Sequence, residues 1–281
     1  MADPDIAAPQ AGAWTVLLLA GQRPGIDPLA AHFGATYKAL LPVAGTPMLT
    51  RVLQALHASP DVGRIVVLAQ EAEPLTAAIT AGGGADFFAS NQGISTSILA
   101  FLSAESPAPY PVLITTADHP LLTPAMVADF VAAADGDLSV GMVARTTMLA
   151  RFPDAERTWI RMADDGWSGT NLFALRSDRV HAALTLWAAA EQDRKRVARL
   201  FWRFGPWLAL RALTRSLTMA DALRRAGARL GLDARLVPMA DPVAAIDVDK
   251  PADHAQAEAI LARRGQYCGQ NPHHHGDEAG H

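Results

Sequence analysis

The chain has 281 residues, half of them hydrophobic, and a formal net charge of −4, enough for one large α/β domain or two small ones with a sizeable core. A single cysteine, Cys268, excludes a disulfide framework and a cysteine-based metal site. The opening MADPDIAAPQAGAW lacks the basic-then-apolar order of a secretory signal, and the most lipid-like stretch, residues 200–213, is cut by Arg203, Gly205, Pro206 and Arg211, far short of the roughly 20 apolar residues that span a bilayer; the expected location is the cytoplasm.

Residues 14–20 (WTVLLLA) form a continuous apolar run closed by Gly21, the pattern of a buried parallel strand. Similar runs fall at 64–70 (RIVVLAQ), 111–118 (PVLITTAD) and 138–144 (LSVGMVA). Helical patterns over 47–57, 74–81, 94–104 and 124–134 alternate with them, and proline repeatedly sits near a first turn. This alternation predicts βαβ units and a mainly parallel sheet. Residues 158–176 predict two strands joined by a turn around 164–166, an antiparallel element beside the sheet. Residues 178–231 read as a helical insertion broken at Gly205 and Pro206. The chain returns to strands at 232–239 (LDARLVPM) and 242–248 (PVAAIDV), then forms a last helix over 252–263. Residues 1–13 and 266–281 have tail composition and are expected to be disordered, leaving 14–265 as one domain.

In open parallel sheets ligands bind at the carboxyl ends of the strands, so the residues closing each apolar run carry the chemistry. After the first run comes LLLAGQRPG. Gly21 lets the backbone turn and offer amides to phosphate oxygens, and Arg23 adds a guanidinium fork; a glycine here is also an ordinary turn. Lys38, in YKALLPV, is one of only three lysines beside twenty-one arginines. It suits a point charge on phosphate or, alternatively, a surface position at a strand end. Asp118 closes the run at 111–118 and offers a hard oxygen for Mg²⁺, or a cap for the next turn. Asp247 and Asp249 alternate along the expected strand at 242–248, so both would face one side and could share a cation. In SNQGISTSIL, Gly93 and small hydroxyl residues open a helix, as a polar-ligand site or as a plain cap. Asn171, in GTNLFALR, can orient a substrate hydroxyl or phosphate, or simply occupy a turn.

The run LLLAGQRPG with Lys38 and LLPVAGTPMLTRVL resembles the signature of the MobA-like nucleotidyltransferases, although Gln22 stands where the family usually has a second glycine. The resemblance implies a three-layer, Rossmann-like α/β fold of the GT-A type, shared with sugar-nucleotide pyrophosphorylases and many glycosyltransferases, here with the helical insertion towards its C-terminal part. It implies that Leu19, Ala20, Gly21, Gly25 and Lys38 bind nucleotide, with Arg23, Lys38 and Asp118 catalytic. By similarity to a G-M-S-x-S stretch, Gln92, Gly93 and Ser95 become base and ribose contacts. Asp118 and Asp247, with Asp249 in reserve, become ligands of a Mg²⁺ cofactor, and Asn171 an acceptor contact.

The implied reaction transfers NMP from an NTP, CTP or GTP favoured, to a phosphorylated small-molecule or lipid-linked acceptor and releases pyrophosphate. Alternatives are a molybdenum-cofactor guanylyl- or cytidylyltransferase, a glycosyltransferase, which would also use a D-x-D pair, and a silent nucleotide-binding module. Residues 194–235 hold eleven basic residues against two acids, about +9, which leaves about −13 elsewhere. That asymmetry predicts either a solvated helix face or peripheral contact with anionic lipid at the inner membrane face; no nucleic-acid partner is expected.

Overall fold

The structure, a computed structural model, describes residues 13–22, 25, 27–90, 93–192 and 216–269. Arg23, Gln92 and the basic helix pattern of Arg196, Arg199 and Arg203, with the break at Gly205 and Pro206, lie outside these residues.

Strand β1 (Trp14–Leu19) enters the centre of an eight-stranded sheet. A one-turn helix, α1 (Pro28–His32), follows, with Asp27 capping it through the amides of Leu29 and Ala30. A 3₁₀ turn at Lys38–Leu40 leads into a two-residue hairpin, β2 (Pro42–Val43) and β3 (Thr46–Pro47). Its turn needs left-handed backbone at Ala44 and Gly45 (φ 48° and 75°).

Then come α2 (Met48–His57), β4 (Val62–Ala69), α3 (Thr76–Ala81), β5 (Asp86–Ala89), α4 (Ile94–Ala104), β6 (Val112–Thr116) and α5 (Pro124–Ala133). Thr123 caps α5 on the Met126 amide, with proline at its first turn as expected. Strand β5 is polar at one end and went unread in the sequence. The second half holds β7 (Leu138–Ala144), α6 (Arg145–Arg151), β8 (Ile160–Arg161), β9 (Gly166–Leu175), α7 (His181–Gln192), α8 (Met219–Arg229), β10 (Ala234–Pro238) and α9 (Pro251–Gly269).

The sheet order is β10-β7-β9-β6-β1-β4-β5, with β8 paired to β9. Strands β4 and β6 flank β1 in parallel, β5 adds to β4, and β10 pairs β7 in parallel. The sheet is therefore mainly parallel, as its alternating pattern requires. The antiparallel element is not beside it, however: β9 runs inside it, hydrogen-bonded to both β6 and β7. A strand carrying alternating buried residues on both faces, Leu172 and Ala174 on one and Leu175 on the other, can be interior as well as an edge.

Alternation along β1 divides the core into layers. Val16 and Leu18 pack with Leu49, Leu53, Val127, Phe130 and Ile260, from α2, α5 and α9. Leu17 points the other way, to Ile98, Phe101 and Leu184 of α4 and α7. Each such fully buried aliphatic or aromatic side chain contributes about 1.5–3 kcal/mol, and the two helix layers enclose the sheet in a three-layer α/β fold.

Two boundaries differ from expectation. Residues 242–248 are not a strand. Asp241 accepts a bond from the Val243 amide and Pro242 opens a 3₁₀ turn over Pro242–Ala245, so this buried apolar run fills the core without joining a ladder. Asp247 and Asp249 therefore do not share a strand face. The final helix also extends to Gly269, past the expected end at residue 263. Among the described residues, no helix is long and apolar enough to cross a membrane.

Candidate active site

Three adjacent parallel strands, β4, β1 and β6, end together. The Ala20 amide donates to the Leu68 carbonyl and the Ala117 amide to the Leu19 carbonyl, at 3.0 and 2.9 Å. Beyond them lies an open cleft lined by Leu19, Ala20, Gly21, Gln22, Lys38, Ala39, Ala117 and Asp118. Five residues expected on nucleotide or metal, Leu19, Ala20, Gly21, Lys38 and Asp118, thus share one cavity. Gly25 has the left-handed φ of 99° that favours glycine, and it is not among the lining residues.

Gln70, one residue past β4, shapes the loop. Its side-chain amide donates to the Gln22 carbonyl at 2.9 Å, and its carbonyl accepts from the Gln22 amide at 3.1 Å. This reciprocal pair holds the loop's main chain where a second glycine would give it freedom.

Lys38 is largely buried, its side chain 16% exposed. Its ammonium donates to Asp118 Oδ2 at 2.7 Å and pairs with Asp249 Oδ1. Burial pulls its pKa down, but the two carboxylates outweigh that and push it up to about 12. Thr116 orients Asp118 from the same strand end, its hydroxyl donating to Oδ1 at 2.5 Å. The next residue, His119, is 1% exposed, and neither ring nitrogen makes a well-formed hydrogen bond among the described residues. Burial pushes the imidazole down to about 4, despite the charge of Asp118 and the nearby Val243 backbone, so His119 is a neutral core residue.

Asp247 and Asp249 reach this cleft through the main chain: the Val248 amide between them donates to the Asp118 carbonyl at 2.9 Å. Asp247 is bound by Arg157, Nη1 to Oδ1 at 2.8 Å, and Arg157 Nη2 lies 3.9 Å from Asp253. Burial raises the Asp247 pKa first, then the charges of Asp249 and Asp118, with Arg157 offsetting only part of this. Asp253 starts the last helix by accepting from the Asp249 and Lys250 amides. Hard carboxylate oxygens suit Mg²⁺. Among the described residues, however, no three His, Cys, Asp or Glu side chains gather closely enough to hold a metal ion; Lys38 and Arg157 stand among these carboxylates.

Gly93 precedes α4 at the same edge of the sheet, where the Ser90 amide follows the end of β4 by donating to the Ala69 carbonyl. Ser95 is fully buried. Its amide and hydroxyl donate to Glu191 of α7, the hydroxyl at 3.2 Å, and a side chain at Gly93 would collide with that carboxylate. Asn171 has φ 54° within β9, next to the register shift opposite Val140 and Met142. It lies two residues before the final β6–β9 pairing of Ile114 with Phe173, level with the end of β6.

Gln70, Thr116, Arg157 and Glu191 were missed in the sequence. Gln70 and Thr116 carried the signal already applied to Asp118, a polar residue closing an apolar run. Arg157 sits in an unpatterned loop, and Glu191 acts on a residue 96 positions away, so neither had a local signal.

Known structures and families agree with this architecture. A hypothetical transferase from Thermus thermophilus shares 29% identity, with a TM-score of 0.72 over 86% of this chain and 99% of that one. A 4-diphosphocytidyl-2C-methyl-D-erythritol synthase from Anaerococcus prevotii shares the fold at 12% identity and TM-score 0.55, covering 90% of this chain and 97% of that chain. A CMP:2-keto-3-deoxy-manno-octonic acid synthetase complexed with CTP does so at 14% identity and TM-score 0.54, covering 90% and 100%. No curated protein matches the chain. The family model of the MobA-like NTP transferase domain matches residues 16–234, which include the loop, Lys38 and Asp118, and the chain accordingly belongs to the MobA-like NTP transferase family and is a nucleotidyltransferase.

Proposed function

We propose that the chain transfers NMP from an NTP to a phosphorylated small-molecule or lipid-linked acceptor, releasing pyrophosphate. The observation that carries this reading is the Lys38 ammonium, held by Asp118 and Asp249 beside the backbone of Ala20, Gly21 and Gln22. The loop amides and Lys38 bind the phosphates of the departing pyrophosphate, to which the guanidinium of Arg23 adds charge.

Asp118 and Asp247, with Asp249, would hold Mg²⁺, which when bound neutralises charge on the phosphate oxygens. An acceptor phosphate is already ionised near neutral pH, so it needs no general base to attack the α-phosphorus. The neutral, buried His119 is consistent with that. Gln70 fixes the loop so that its donors are in place before substrate arrives. Asn171, level with the end of β6, orients the acceptor, while Ser95, already bound to Glu191, leaves the family's base contact at this stretch to Gln92 and the Gly93 main chain. Catalysis is positioning plus charge stabilisation.

The test is pyrophosphate release from CTP, GTP, ATP and UTP with Mg²⁺ against phosphorylated sugars, alcohols and cofactors. CTP is the first choice, since the CMP:2-keto-3-deoxy-manno-octonic acid synthetase of the same fold was solved with CTP. Pyrophosphate released only with one acceptor identifies the pair. Sugar transfer from a nucleotide sugar without pyrophosphate would overturn the reading. The basic excess over residues 194–235 favours a lipid-linked acceptor, and co-sedimentation with anionic liposomes at low salt tests that version.

A further inference from the structure

From β6 to β5 the carboxyl edge of the sheet presents Asp118 with Lys38, then Gly21 and Gln22 past β1, Gln70 past β4, and Ser90 before Gly93 past β5. Neighbouring strands lie about 4.8 Å apart, so Gln22 stands between the two ends of this row. A nucleotide with its phosphates at Lys38 and its base at Gly93 crosses the edge with its ribose over β1 and β4.

Gln22 is bound differently from a plain loop residue. Its amide and its carbonyl both bond to the Gln70 side chain, and a Cβ added at Gly21 would lie 3.1 Å from Gln70 Nε2. The Gln22 amide is therefore already committed and does not serve phosphate. What remains is the side chain. Gln22 lines the cleft, and its Oε1 is shut from solvent with no hydrogen-bond partner among the described residues. Buried side-chain oxygens normally have one. Oε1 accepts and never donates, as do ionised phosphate oxygens, so its missing partner is an O–H or N–H group.

We infer that Gln22 is a specificity-determining residue for the sugar of the nucleotide: Oε1 accepts from a ribose hydroxyl, and the chain thereby selects ribonucleotides over deoxyribonucleotides. The inference rests on the proposed placement of the nucleotide across the strand ends. The side chain turns about its own rotatable bonds to meet the hydroxyl, while Gln70 keeps the backbone still. Glycine, usual in the family at this position, has no side chain with which to make the contact.

The experiment is calorimetric binding in Mg²⁺ to wild type, Gln22→Met and Gln22→Glu, each checked for folding by circular dichroism. The probes are whichever of CTP, GTP, ATP and UTP wild type binds most tightly, its 2′-deoxy and 3′-deoxy analogues, and inorganic triphosphate. Wild type should bind the ribonucleotide about tenfold more tightly than one of the deoxy analogues, the size of one hydrogen bond to a buried acceptor. Gln22→Met, of similar length but without the acceptor, should lose that difference. Gln22→Glu should keep it, since a carboxylate still accepts, while its charge weakens binding of every probe. Should Gln22→Met misfold, Gln22→Gly gives the same reading. Equal affinity of wild type for the ribonucleotide and both analogues overturns the inference, as does a difference retained without the side-chain acceptor. A uniform loss by Gln22→Met, inorganic triphosphate included, assigns the side chain to phosphate; it overturns the inference and leaves the nucleotide reading standing. No nucleotide binding by wild type overturns both.

Discussion

Two places at the carboxyl edge of the sheet gather carboxylates with partners far away in sequence, one around a cation and one around neutral donors. In the cleft past β1 and β6, carboxylates from residues 118 and 249 hold a lysine from residue 38, and the carboxylates are in excess. At the start of α4 a carboxylate from residue 191 rests on the amide and hydroxyl of Ser95. The first arrangement keeps loop backbone open to a ligand. The second already satisfies itself, since an anion on a helix N-terminus is stabilising without any guest. Resemblance points to both places as nucleotide contacts, but only the cleft leaves loop backbone open to one.

That contrast can be broken most forcefully at Asp118. Asp118→Ala should lower pyrophosphate release by about a thousandfold while the thermal unfolding midpoint moves only a few degrees, because the side chain is not part of the core. Near wild-type turnover in this variant would remove the cleft from the chemistry.

The next effect is at the loop. Gln70→Ala deletes two bonds to the main chain of Gln22, which together contribute about 1–3 kcal/mol. The expected result is a KM for the nucleotide raised about tenfold with kcat nearly kept, read from initial rates of pyrophosphate release. An unchanged KM would mean that the loop holds its shape without this clamp.

A smaller effect sharpens the other half of the comparison. Glu191→Gln should cost about 0.5 kcal/mol in urea unfolding and leave turnover unchanged. If instead the variant changes the preference among CTP, GTP, ATP and UTP, the two places act as one site and Glu191 faces the base.

The smallest effect concerns Asp247 in metal-free protein. Its folded-state pKa is raised above the ordinary 3.8, so the folded chain holds this proton more tightly than the unfolded chain. That contribution to stability is full below the unfolded value and is lost as pH rises through the folded one. Asp247→Asn should flatten this fall as pH rises above the ordinary 3.8, measured by urea unfolding in EDTA.

Much of this was legible in sequence because it is local. Each apolar run closed by a polar residue became a strand ending at the site edge, and Gly21 and Asp118 followed from that one rule, while Lys38 stood out as one of three lysines. The segment at 242–248 shows where the rule stops. A continuous apolar run reports burial and not ladder pairing, and Asp241 with Pro242 turned the run into 3₁₀ structure. Asp247 and Asp249 still reached the cleft, through the Val248 amide and not through the pleat. Asn171 was read as an acceptor contact or a turn residue; its left-handed φ within β9 accounts for the residue type on backbone grounds, while its level beside β6 leaves the acceptor reading proposed. Arg157 and Glu191 were invisible because their partners are set by topology.

The bond from Lys38 to Asp249 spans 211 residues, and that has a consequence for the chain during its synthesis. By the time residue 118 has left the ribosome, the loop, the lysine and the first aspartate all exist, but the D-x-D segment does not. Closing so long a loop is slow relative to local structure. A nascent chain therefore carries Gly21, Lys38 and Asp118 without the carboxylates of Asp247 and Asp249 until β10 and the turn after it have emerged.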